Sequence, residues 1–123
     1  MRPTTMLLFL LIALTLPVGI AIADDSQPVG SVVGLDVNTD SADFYLQYHG
    51  RLFVNTDGNL AEYRWGGTSC GTRTLTEDQL ALLQRALHHK KMTIAPRTQD
   101  GQGNSVCLVG FQLVEKKNLK LFP

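Results

Sequence analysis

Between residues 31 and 65 the apolar positions of the chain recur mostly at every second residue, and between 75 and 87 at every third or fourth. The first period belongs to strands and the second to a helix. Ser31 to Val37 is short, valine-rich and bounded by Gly30 and by the turn-forming residues Asn38 to Ser41, which predicts a first strand. Phe44 to Tyr48 alternates, with Phe44, Leu46 and Tyr48 on one side and Tyr45, Gln47 and His49 on the other, so a second strand is expected there. After His49-Gly50 the chain enters Arg51 to Val54. Asn55-Thr56-Asp57-Gly58-Asn59 then predicts a hairpin, because its residues tolerate positive φ. The returning run, Leu60 to Trp65, places Ala61, Tyr63 and Trp65 toward a core and Glu62 and Arg64 toward water.

The helical signal is the strongest in the chain. Thr76 and Gln79 have capping-box spacing, Leu75 can staple onto Leu80, and Leu80, Leu83, Ala86 and Leu87 form one stripe. Acids at Glu77 and Asp78 and bases at His88, His89 and Lys90 suit the two ends of the helix dipole. A helix from Glu77 to His89 follows. Beyond it, Thr93 to Ala95 reads as a short strand stopped by Pro96, Arg97 to Ser105 as a loop, and Val106 to Val114 as a central strand. Lys116, Lys117 and Lys120 mark a solvated tail that can add a last strand through Leu119 and Leu121. Strands, one helix, then strands predict an α+β domain: a small antiparallel sheet with one helix packed on it.

The N-terminus changes the compartment. Arg2, the apolar run Met6 to Leu14 and the small-residue exit Ala21-Ile22-Ala23 form a signal-peptide pattern over residues 1–23, which leaves residues 24–123 as a single exported domain beginning at Asp24. Pro17 and Gly19 break the apolar stretch before the cut, which argues against an uncleaved anchor. The expected location is therefore secreted or periplasmic, with no membrane attachment after cleavage. In such a compartment Cys70 and Cys107 are expected to form a disulfide that ties the Gly66 to Arg73 segment to the long C-terminal strand.

Charge then narrows the partners. The chain has 11 basic and 11 acidic residues, and cleavage removes Arg2 and no acid. A domain without basic excess is not expected to bind nucleic acid. Two cysteines and three scattered histidines do not match a zinc spacing. Asp36 to Asp40 opens like a calcium loop, but Ser41 and Gln47 stand where glycine and glutamate are needed. No cofactor and no metal are expected.

Candidate chemistry is sparse. Gly67-Thr68-Ser69-Cys70-Gly71 fits the G-x-S-x-G string, yet the helix starts several residues too late, and the only later histidines, His88 and His89, lie at that helix's far end. A glycine-rich turn stapled to the sheet accounts for it. His88 to Lys91 suits a helix C-terminus as well as an anion patch. What remains is aromatic: Tyr45, Tyr48 and Trp65 are the candidate binding residues, with core packing as the competing role. The sequence thus points to an exported, non-enzymatic protein-binding module with a protein partner. A small secreted hydrolase using Ser69 or His49, and a structural envelope protein, are the alternatives.

Overall fold

The computed structural model describes residues 24–122; the expected signal peptide, residues 1–23, lies outside the described residues. The fold is α+β with one disulfide, Cys70–Cys107. Strands β1 (Asp25–Ser26), β2 (Ser31–Val37), β3 (Gly50–Thr56), β4 (Asn59–Trp65), β5 (Met92–Asp100) and β6 (Val106–Glu115) join in the order β1-β5-β6-β4-β3-β2. Helices α1 (Gly67–Cys70) and α2 (Glu77–His88) lie between β4 and β5, and a 3-10 helix (Lys116–Leu121) follows β6.

The sheet curls until its two ends meet. β1 pairs with β5 at Asp25↔Thr98 and Ser26↔Arg97, and Gly30 then exchanges both backbone hydrogen bonds with Ile94, at 3.0 and 2.9 Å. From Ser31 the same extended chain pairs with β3 instead. β1 and β2 are therefore successive stretches of one bent strand that closes β3, β4, β6 and β5 into a barrel. Gly30 sits at the bend, where a Cβ would run into the Asn55 carbonyl and the Val54 side chain. The result is a five-stranded Greek-key barrel with a helix between its third and fourth strands, the arrangement of an OB-fold.

Register decides which side chains fill the barrel. Leu52 opposes Tyr63 and Val54 opposes Ala61 across β3 and β4, so these share the inner face, while Arg51/Arg64 and Phe53/Glu62 share the outer one. Val32, Leu52, Val54, Tyr63, Trp65, Ile94 and Leu108 make the buried core, and α2 adds Leu83 and Ala86. Burial raises the Tyr63 hydroxyl above its ordinary pKa. A register shift at Arg97/Thr98 opposite β6 skips Val109, which keeps Ile94, Thr98 and Leu108 all inward.

The predicted hairpin closes on Asp57 and Gly58, both at positive φ (50° and 87°), as a two-residue turn. α2 begins with the predicted capping box: Gln79 N–H donates to Thr76 Oγ1 at 3.2 Å and Thr76 N–H to Gln79 Oε1 at 2.9 Å. Replacing Thr76 with alanine should cost about 1 kcal/mol, read as a lower denaturant midpoint at unchanged slope.

Several expectations are corrected. The sheet is mixed rather than antiparallel, because β4 and β6 run parallel through Arg64↔Cys107, and α2 is not the only helix. Phe44 to Tyr48 forms turns, with Tyr48 N–H donating to the Phe44 carbonyl at 3.0 Å, and β2 and β4 already take both sides of β3, the strand it leads into. β5 runs through Pro96 to Asp100, so the predicted loop is reduced to its second half. The Pro96 carbonyl accepts from Gln27 N–H at 2.9 Å, so the proline nitrogen faces the end of the two-residue β1 and the β5–β6 ladder on the other side is kept. The tail is a 3-10 helix rather than a strand, since β6 already has β5 and β4 on its two sides.

Candidate functional site

The outer face of β2, β3 and β4 brings together residues of opposite charge. Asp36 opposes Arg51, and Arg51 opposes Arg64. Arg51 donates from Nε and Nη2 to Asp36 Oδ2 at 2.9 and 2.7 Å, and its Nη1 lies 3.5 Å from Glu62 Oε1. Arg64 Nε donates to the same Glu62 oxygen at 2.8 Å. Two guanidinium groups thus meet two carboxylates. Asp36 holds the Arg51 guanidinium above its ordinary pKa, chiefly by the hydrogen bond, against the opposing effect of desolvation.

The segment 38–49 folds over this cluster. Tyr48 is 4 % exposed, with the Arg64 and Arg51 guanidinium carbons 4.6 and 5.0 Å from its ring centre, and Phe44 stacks on it at 5.9 Å. Backbone hydrogen bonds fix the segment. Asn38 N–H donates to the His49 carbonyl (2.9 Å), His49 N–H to Trp65 (2.8 Å), Thr68 N–H to Leu46 (2.8 Å) and Ser69 N–H to Gln47 (2.9 Å). α1 is thereby the support for the loop, and the disulfide fixes α1 to β6.

The three aromatic candidates part company here. Trp65 is 3 % exposed and belongs to the barrel core. Tyr48 is buried in the cation sandwich. Tyr45 is half-buried and stacks on His49, ring centres 4.2 Å apart. The structure leaves Phe44 and Leu46, at 57 % and 79 % exposure, as the open apolar side chains of this segment.

Ser69 and His49 are not assembled into a nucleophile and base. Ser69 is buried, and its Oγ lies 3.5 Å from Arg64 Nη1. The His49 Nδ1 faces Thr74 Oγ1 at 3.5 Å, and no hydrogen bond joins it to Ser69 among the described residues. His88 and His89 are exposed at the end of α2, beside a shallow hollow with Arg85 and Met92. The Asp36 carboxylate is engaged by Arg51.

Comparison with protein-family models, curated proteins and solved structures finds no match in any of the three. The site therefore rests on its own geometry. Arg51, Asp36, Glu62 and Arg64 are the residues that sequence reasoning missed as a group. The outward positions of Glu62 and Arg64 were legible from alternation, whereas the sandwich around Tyr48 depends on a loop folding back across three strands.

Proposed function

We propose that the chain is an exported, non-enzymatic protein-binding module, secreted or periplasmic, with segment 38–49 as its contact surface. The observation that carries this reading is the exposure of Phe44 and Leu46 on a loop held by backbone hydrogen bonds at Asn38, His49, Thr68 and Ser69. Apolar anchors that are already ordered lose little entropy on binding, and the flanking Tyr45, Tyr48 and Arg64 are residue types enriched at interface hot spots. The disulfide supports export to an oxidising compartment. Among the described residues no helix is long and apolar enough to cross a membrane.

The test compares the exported protein with its Leu46→Asp and Phe44→Ala variants by cross-linking in extract from its own compartment. A specific partner should be captured by the parent and by Ser69→Ala. Each loop variant should bind it more weakly by about 2 kcal/mol with little change in thermal midpoint. Equal capture by all four proteins, or turnover of an ester or peptide that Ser69→Ala or His49→Ala abolishes, would reject the proposal.

A further inference from the structure

The outer face of β5 and β6 carries a groove that shares no residue with segment 38–49. Register puts Thr93, Ala95 and Arg97 of β5 on that face, opposite Val114, Gln112 and Gly110 of β6. Pro28 and Val29, which follow β1, stand along one side, and Leu119 and Phe122 at the C-terminal 3-10 helix close the far end. Two hollows of about 480 and 250 Å³ share Val29, Ala95 and Gln112 and so form one groove. The larger falls in the roughly 300–1,000 Å³ range of small-ligand sites. Val29 and Phe122, at 41 % and 46 % exposure, are large apolar side chains left open on the surface, and both line it.

The groove is apolar along its length and cationic at one end. The Arg97 guanidinium folds over Gly110, where a Cβ would lie 3.2 Å from Arg97 Nε, and its Nη2 reaches the Phe111 carbonyl at 3.5 Å. Among the described residues no carboxylate pairs with Arg97. Gln112 lies diagonal to it across the β5–β6 ladder and adds an amide that can donate beside the guanidinium. From there the floor runs over Ala95 to Thr93 and Val114, and the outward positions 93 to 97 span about 13 Å at ~3.3 Å per residue.

The polar groups beside this floor are already used. Thr93 Oγ1 donates to the Val114 carbonyl at 2.6 Å, and Gln27 Nε2 donates to Thr98 Oγ1 at 2.8 Å. The β5 backbone bonds β6 on one side and Gln27 and Gly30 on the other. An extended peptide laid in the groove would therefore bury amides without partners, whereas an alkyl chain has none to satisfy. A second copy of the chain would bring a second Arg97 to the same end, where like charges repel. A lone guanidinium with an amide beside it calls for one anionic head, held by charge-assisted hydrogen bonds. We propose that this groove binds a medium-chain fatty acid, its carboxylate on Arg97 and Gln112 and its alkyl chain running over Ala95 toward Leu119 and Phe122.

The experiment is an NMR titration of the ¹⁵N-labelled exported protein with hexanoate, octanoate and decanoate below their micellar concentrations. Octanol and octyltrimethylammonium supply the same chain on a neutral and a cationic head, and end-blocked tetra-alanine stands for a peptide. Decanoate should shift the amides of Ala95, Arg97, Gln112 and Leu119 saturably, and each added methylene should tighten binding by up to about fourfold. Arg97→Gln should bind octanoate about tenfold more weakly, a change of about 1.4 kcal/mol, with octanol binding unchanged. Ala95→Phe, which fills the groove from its floor, should abolish binding of every chain while the thermal midpoint shows it folded. Leu46→Asp should bind decanoate normally, which separates this site from the contact loop. The assignment is overturned if decanoate shifts none of those amides or shifts others instead, if octanol or octyltrimethylammonium binds as tightly as octanoate, or if either groove variant binds like the parent. Saturable binding of tetra-alanine there, or shifts of the same amides with protein concentration alone, would make the occupant a peptide or a second copy and overturn it as well.

Discussion

Replacing Trp65 with alanine should destabilise the protein by about 3 to 5 kcal/mol, the range for truncating a buried large aromatic. The indole is 3 % exposed and lies directly across the hairpin from Gly50. A Cβ at Gly50 would meet the ring itself and the Asp36 carbonyl, so the two residues share one space. Removing the indole leaves a cavity beside Leu52 and Tyr63 that the closed barrel cannot readily collapse. Net stabilities of domains run to about 5–15 kcal/mol, so this is a large fraction of the whole. Trp65 is the single tryptophan, and the measurement is therefore denaturant unfolding followed by far-UV circular dichroism rather than by fluorescence. Gly50→Ala should also destabilise, and the double variant should lose less than the sum, because the indole clash is gone while the Asp36 clash remains. A loss below about 1 kcal/mol for Trp65→Ala would place the indole outside the core.

The elements that sequence reasoning located well are those with local causes. The two-residue turn at Asp57-Gly58, the capping box at Thr76 and the leucine stripe of α2 are all determined by residues within a few positions of one another. What escaped it depends on partners far along the chain. The alternation at Phe44 to Tyr48 is a strand pattern, yet a strand needs a free neighbour, and β2 and β4 already take both sides of β3, the strand this segment leads into. Pro96 reads as a stop signal until β1 is known to be only two residues long on its nitrogen side. The parallel β4–β6 pair rests on a single register pair, Arg64↔Cys107, and neither strand carries a mark of its neighbour. The candidate site shares this history. Arg64 read as an ordinary outward strand residue and Arg51 only as the start of the next run, and Tyr48 became their common partner because segment 38–49 folds back over β3 and β4.

Reducing the disulfide, or replacing Cys70 or Cys107 with serine, should cost about 2 to 5 kcal/mol. The cysteines are 37 residues apart, for which chain entropy alone gives about 4 kcal/mol. Its local consequence follows from where α1 sits. This four-residue helix is too short to persist by itself, and it is tied to β6 by Cys70. Thr68 and Ser69 hold Leu46 and Gln47, and the Ser69 carbonyl holds Gln102, so one turn of helix supports both the contact loop and the turn between β5 and β6. Cutting the staple should therefore release these segments before the barrel melts. Amide hydrogen exchange at Thr68, Ser69 and Gln102 should accelerate strongly under reductant, while the β3–β4 amides of Leu52 and Tyr63, deep in the core, stay protected until global unfolding. If reduction leaves both the unfolding midpoint and those three amides unchanged, α1 does not depend on the disulfide. If all amides lose protection together, the staple holds the whole barrel rather than its binding surface.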